Sequence, residues 1–95
     1  VEEIQEGIKH GVRKVNIDTD LRMASTGAIR RYMHQNPSAF DPRKYLGEAT
    51  KAMSEICVAR YEAFGTAGQG SKIKAADLEV MVKRYDSGEL DPRVN

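Results

Sequence analysis

Ninety-five residues make at most one domain, and 40% hydrophobic with 31% charged residues is ordinary for a soluble globular chain rather than a disordered one. Fifteen Lys and Arg against fourteen Asp and Glu leave a net charge of +1, which gives no excess of positive charge for nucleic acid or an anionic membrane surface. Apolar runs such as Cys57-Val58-Ala59 fall far short of the ~20 residues that a transmembrane helix needs, and the single cysteine excludes an internal disulfide and suits a reducing, cytoplasmic setting.

The chain opens on Val1-Glu2-Glu3, with no initiator Met and no basic or apolar leader, so the expectation is a processed or truncated beginning. A first helix is expected over residues 1–11, where Ile4 and Ile8 stand four apart among charged neighbours and Gly11 closes the last turn. Val12, Val15 and Ile17 then supply β-branched residues before the polar run Asp18-Thr19-Asp20, which predicts a strand over residues 12–17. Leu21, Ala24, Ala28 and Tyr32, with Ile29 and Met33, recur at three or four residues and predict a helix over residues 21–35 that ends at Asn36-Pro37.

Ser38 and Asp41 mark the next loop, in which Phe40 is expected to anchor on something apolar. A long helix is expected over residues 43–64. Its stripe runs through Tyr45, Leu46, Ala49, Ala52, Met53, Ile56, Ala59 and Phe64, with Arg60 as the odd member. A small, Gly-rich stretch follows, and then a last helix over residues 74–85 with Leu78, Met81, Val82 and Tyr85 on its apolar face. The triplet Asp-Pro-Arg occurs at 41–43 and again at 91–93 without surrounding similarity, so it is no repeat.

The expected inventory is therefore several helices and one strand. A lone strand carries unpaired N–H and C=O groups on both edges, and burying each without a partner costs about 1–3 kcal/mol. A strand between helices belongs to a helix–strand alternation, so the chain reads as the end of a larger α/β domain. A four-helix bundle with residues 12–17 as an extended linker is the alternative.

In α/β folds chemistry collects at the C-terminal ends of strands, here at Asn16-Ile17-Asp18-Thr19-Asp20-Leu21-Arg22. An amide, carboxylates, a hydroxyl and a cation precede a helix N-terminus, which suits an anion such as phosphate. The same residues also suit a plain helix cap, and spacing does not choose between the two. His10 and His34 lie on different helices with no metal-ligand spacing, and Cys57 reads as a small core hydrophobe. Arg30-Arg31 is an isolated basic pair, and residues 65–70 lack the Lys-Ser/Thr of a phosphate-binding P-loop.

The run from Gly11 through Asn16-Ile17-Asp18-Thr19-Asp20 resembles the last barrel strand and loop of class II, metal-dependent fructose-1,6-bisphosphate aldolases. The resemblance continues through Leu21-Arg22-Met23-Ala24, Phe40-Asp41-Pro42-Arg43-Lys44 and Arg60-Tyr61-Glu62-Ala63-Phe64-Gly65-Thr66-Ala67-Gly68, and so covers nearly the whole chain. The tail, with Ser71-Lys72-Ile73 and Gly88-Glu89-Leu90-Asp91-Pro92, is similar to the forms associated with the Calvin cycle.

The resemblance implies the C-terminal portion of a TIM (β/α)8 barrel, mostly helical when viewed alone, with residues 18–22 as a substrate loop. It implies that Asn16, Ile17, Asp18 and Thr19 meet dihydroxyacetone phosphate, with Asp18 capping or accepting hydrogen bonds because a bare carboxylate repels phosphate. Arg22 and Arg43 match positions that reach the second phosphate, Arg22 across a dimer interface, and Asp41 matches one that meets substrate hydroxyls. Arg60 matches an arginine presented to a neighbouring subunit's substrate. Read without the family, each of these arginines is a solvated or snorkelling side chain.

The implied activity is the reversible aldol condensation of dihydroxyacetone phosphate with glyceraldehyde 3-phosphate to fructose 1,6-bisphosphate, in glycolysis, gluconeogenesis and the Calvin cycle. The implied cofactor is Zn2+, with its ligands and the catalytic carboxylate upstream of Val1, so the segment by itself should bind no catalytic zinc and turn nothing over. The implied partners are a phosphorylated sugar and further copies of the enzyme as a homodimer or higher oligomer, with no nucleic acid and no membrane. A tagatose-bisphosphate-type aldolase and a non-enzymatic helical interaction module are the alternatives.

Overall fold

The computed structural model describes residues 1–93, and these form four α-helices and a single 3₁₀ turn. Helix α1 spans Glu2–Lys9, with Glu2 and Glu3 in its first turn and Lys9 in its last, each at the end of the helix dipole that its charge complements. It closes in a Schellman motif: the Gly11 N–H donates to the Ile8 carbonyl at 3.2 Å and the Val12 N–H to the Gly7 carbonyl at 3.1 Å. Gly11 sits at φ 108°, which an L side chain rarely adopts, so the expected closure at this residue is borne out with its cause.

Residues 12–18 carry no regular structure, and no strand is present among the described residues. The strand predicted over residues 12–17 is corrected here. A β-branched run can form a ladder only where another strand supplies matching N–H and C=O groups, and this chain holds no second strand sequence.

Helix α2 spans Thr19–Gln35 and α3 spans Pro42–Ala63, and their pairing is the one extensive packing of element on element among the described residues. The connection between them is short, so the two helices run back to back and in opposite directions. Asn36 turns the chain, its N–H donating to the Tyr32 carbonyl at 2.9 Å, and Asp41 then caps α3 by accepting the Arg43 N–H at 3.0 Å. Pro42 occupies the first helical position, where its missing N–H costs nothing, so α3 begins one residue before the expected start. Leu21, Ala24, Ala28 and Tyr32 of α2 and Tyr45, Ala49, Ala52, Met53 and Ile56 of α3 are all at least partly buried. Ala49, at 4% exposure, is the only buried residue among those described.

Helix α3 ends in a second Schellman closure, with the Gly65 N–H donating to the Glu62 carbonyl at 3.3 Å and the Thr66 N–H to the Tyr61 carbonyl at 2.9 Å. Beyond it come a 3₁₀ turn at Gly70–Lys72 and α4 at Leu78–Asp86. Helix α4 starts later than the expected residue 74, because Asp77 accepts the Glu79 N–H at 2.9 Å and sets the N-terminus there. Leu78, Val82 and Tyr85 of its apolar face are exposed.

Phe40 is 89% exposed, which corrects its expected anchoring role: its ring finds little cover among the described residues. The Cα radius of gyration is 19.7 Å, against roughly 12 Å for a compact domain of this length. The helices thus form a paired hairpin with extensions at both ends rather than a closed globule. No helix among the described residues is long and apolar enough to cross a membrane.

Candidate functional site

Residues 12–18 pass across the C-terminal end of α3 before entering α2. Val15 and Ile17 turn inward and share a hollow with Leu21 of α2 and Ile56, Cys57 and Arg60 of α3. Asn16 and Asp18, the alternate residues, are exposed. Val15 and Ile17 against Asn16 and Asp18 thus sort the end of this segment into an apolar side and a polar side.

On the polar side the side chains engage one another locally. The Asn16 Oδ1 accepts a hydrogen bond from Lys14 Nζ. Asp18 is the N-cap residue of α2, yet its carboxylate does not cap; its Oδ1 accepts from Arg22 Nε at 3.0 Å, one turn along. The first turn of α2 therefore has no capping side chain, and its N–H groups retain the capacity to bind an anion. The expected loop over residues 18–22 is corrected accordingly. Thr19 and Arg22 lie in the opening turn of α2, because the Arg22 N–H already donates to the Asp18 carbonyl at 3.0 Å and begins the helical ladder.

Arg13, Lys14, Arg22 and Arg60 stand near this end of the hairpin together with Asp18, Asp20, Glu3 and Glu62, so cations and carboxylates are interspersed there. Arg13 turns its guanidinium back to the carbonyls of Ile8 and Val12, each at 3.1 Å. Arg60 donates from Nη2 to Asp20 Oδ2 at 2.9 Å, and its side chain is 21% exposed. The anomalous arginine on the apolar stripe is thus mostly covered and is paired within its own chain.

Asp41 and Arg43 lie elsewhere. Arg43 is seventeen positions before Arg60 on the same helix, about 25 Å along its axis at ~1.5 Å per residue. The structure therefore brings Asn16, Ile17, Asp18, Thr19, Arg22 and Arg60 to one end of the hairpin and Asp41 with Arg43 to the other. At that far end Arg43 forks onto Asp41, from Nε to Oδ1 and Oδ2 at 3.1 Å and from Nη2 to Oδ2 at 2.7 Å. The guanidinium, followed by the Arg43 backbone N–H, holds the Asp41 carboxyl below the ordinary carboxylate value, and Asp41 in turn raises Arg43.

Two partners at the near end escaped the sequence reading. Asp20 was legible only as a cap candidate, and nothing in its spacing points to a residue forty positions away. Gln5, whose Nε2 donates to the Ala63 carbonyl at 2.9 Å, looked like one more polar residue of α1. A signal for the first did exist: an arginine on an apolar stripe has to find a carboxylate. Among the described residues no three His, Cys, Asp or Glu side chains converge where a metal ion could sit.

Residues 1–69 match the family model described as fructose-bisphosphate aldolase class-II. A fructose-bisphosphate aldolase of Pseudomonas aeruginosa is 72% identical over 95 residues, which is all of this chain and 27% of that protein. A fructose-bisphosphate aldolase 2 of Rhodobacter capsulatus is 60% identical over 95 residues, covering 83% of its length. One from Xanthobacter flavus is 60% identical over 90 residues, or 95% of this chain and 25% of the relative. The chain thus spans about a quarter of the length of several of the proteins it matches.

Proposed function

The chain belongs to the class II fructose-bisphosphate aldolase family, and we propose that its residues 12–22 form one wall of an aldolase active site whose remaining walls come from other parts of the enzyme. The reaction is the reversible joining of dihydroxyacetone phosphate and glyceraldehyde 3-phosphate into fructose 1,6-bisphosphate. The observation that carries this reading is the family match across an open, uncapped helix start, beside which Asn16 and Thr19 are exposed.

In this proposal the Thr19 hydroxyl and the first-turn N–H groups of α2 hold the phosphate of dihydroxyacetone phosphate. The Asn16 amide orients its carbon skeleton. Asp18 can tolerate the nearby phosphate because its carboxylate is engaged by Arg22. The zinc that the family resemblance implies would be held by residues outside this chain. The surrounding fold is proposed to be a TIM barrel in a cytoplasmic enzyme, and the similarity of the tail supports a Calvin-cycle-associated form.

The geometry also bears on how the second phosphate is met. Arg43 and Asp41 lie about 25 Å from the end that carries Arg60 and Asn16, farther than one ligand of this size can bridge. If both ends serve one bisphosphate, Arg43 comes from a second copy of the chain, which supports a homodimer or higher oligomer. Arg22 pairs with Asp18 in its own chain, and its exposed side chain is also open to a neighbouring copy, as the expectation for it has it.

In the full-length enzyme Asn16→Ala should lower kcat by about 10²-fold, the scale of one lost active-site hydrogen-bonding group, with zinc content intact. Unchanged kinetics would remove Asn16 from the site. Subunits carrying Asn16→Ala and subunits carrying Arg43→Ala should each be impaired, and mixing them should regenerate activity if Arg43 acts on a neighbour. The 95 residues by themselves should show no aldol cleavage, and measurable turnover would refute the division of the site proposed here.

A further inference from the structure

Two side-chain hydrogen bonds in the described structure join residues far apart in sequence, Gln5 Nε2 to the Ala63 carbonyl and Arg60 Nη2 to Asp20 Oδ2, both at 2.9 Å. The other described side-chain hydrogen bonds link residues five or fewer positions apart, as in the pair Arg84 and Glu89. Both long-range bonds end on the last turn of α3. They leave from residues 5 and 20, on either side of the segment that carries Asn16 and Thr19. Residues 12–18 of that stretch have no ladder of their own to fix them, and their apolar side chains Val15 and Ile17 rest beside Arg60.

We infer that Arg60 is a positioning residue that acts through Asp20, tying the opening turn of α2 to the end of α3 so that Asn16 and Thr19 are held ready for the phosphorylated ligand. The inference rests on the functional reading above and deepens it. Arg60 suits the role because it reaches from an apolar surface while its stem stays covered, and because its charged, planar fork gives the bond both strength and direction. Asp20 is the first-turn acid of α2, two residues past the N-cap, so a pull on its carboxylate fixes the turn whose N–H groups face the ligand. Arg60 thus meets the substrate at one remove.

The test uses the full-length enzyme carrying Arg60→Met, Asp20→Asn or both, with fructose 1,6-bisphosphate kinetics and hydrogen exchange of a peptide covering residues 19–24. Each single variant should raise KM about tenfold, the factor that the loss of one charge-assisted hydrogen bond represents, with kcat within about twofold. The double variant should be no worse than either single one, and exchange in the opening turn of α2 should quicken in all three. The exchanged pair Arg60→Asp with Asp20→Arg should recover most of the loss.

An elevated KM in Arg60→Met but not in Asp20→Asn would overturn the inference in favour of direct substrate contact by Arg60. Unchanged exchange would overturn it by removing the tie. Faster exchange with an unchanged KM in an active enzyme would overturn the positioning role. A parent enzyme without aldol cleavage would instead overturn the functional reading, and the exchange measurement would still decide whether Arg60 and Asp20 fix the turn.

Discussion

The hairpin of α2 and α3 and the tail that carries α4 are written in the same amphipathic code, yet only the hairpin packs extensively. Helix α3 finds α2 along its apolar stripe and buries Ala49 there, while Leu78 on the matching face of α4 remains 78% exposed. Periodicity states which face of a helix needs cover; it does not state what covers it. The small residues Ala24, Ala28, Ala49 and Ala52 allow the paired helices to approach closely, and the short turn at residues 36–41 makes their meeting almost unavoidable. Nothing in the tail constrains α4 in this way.

The largest test of this contrast is Ala49→Asp. A carboxylate at that position would be buried against α2 without a cation, at a cost of about 3 kcal/mol or more, and should separate the hairpin. Circular dichroism with urea titration of the 95-residue chain would record a clear loss of helix, and an unchanged midpoint would mean that the hairpin is not held by this seam.

A smaller effect is expected at the helix caps. Asp77→Ala removes the bond to the Glu79 N–H, and losing such a cap costs about 1 kcal/mol. Helix α4 has nine residues, and isolated helices shorter than about 12 residues are marginal, so this loss should melt much of it. Asp41→Ala removes the equivalent bond in α3 but should fray only the first turn, because packing holds the rest. Equal losses of helicity in the two variants would erase the distinction between the regions.

Much of the hairpin was legible because its signals are local. Gly11 closes α1 and Asn36-Pro37 ends α2, each through bonds that reach no more than five residues, whereas Asp41 read as a loop residue and with Pro42 opens α3 one position before the expected start. What was misread depended on partners. Val12, Val15 and Ile17 promise a strand, but β structure is a property of two segments and this chain supplies one. Phe40 promises an anchor, and its ring stays exposed among the described residues. At the candidate site the residue types were legible from the family resemblance, whereas the 25 Å between Arg43 and Arg60 followed only from the helix that joins them. The pairing of Arg60 with Asp20 was half legible: the arginine announced its need, and the fold chose the acid.

Tyr85→Ser carries the comparison to the exposed face of the tail. In the 95-residue chain Tyr85 is exposed, so the substitution should change stability by less than about 0.5 kcal/mol. The same substitution in the full-length enzyme measures whether α4 acquires cover there. A fall in thermal midpoint in the longer protein alone would show that the tail's apolar face packs on a part of the enzyme outside these residues. No fall in either would leave α4 a peripheral helix in both.

The smallest effect concerns pH and the cap at the start of α3. The Asp41 carboxylate is held below the ordinary value because Arg43 donates to it from side chain and backbone together. A folded carboxyl that titrates lower than its unfolded counterpart adds stability above the unfolded value and loses it as pH falls through the folded one. The start of α3 should therefore stay ordered through mildly acidic solution and loosen only below the usual aspartate range. Arg43→Gln should shift that loosening to higher pH, because the guanidinium that keeps the carboxylate charged is gone while the backbone donor remains. NMR titration of the Arg43 amide in the parent chain and in the variant would read both midpoints. Identical midpoints would mean that the backbone bond alone sets the titration and that the forked contact adds nothing to the cap.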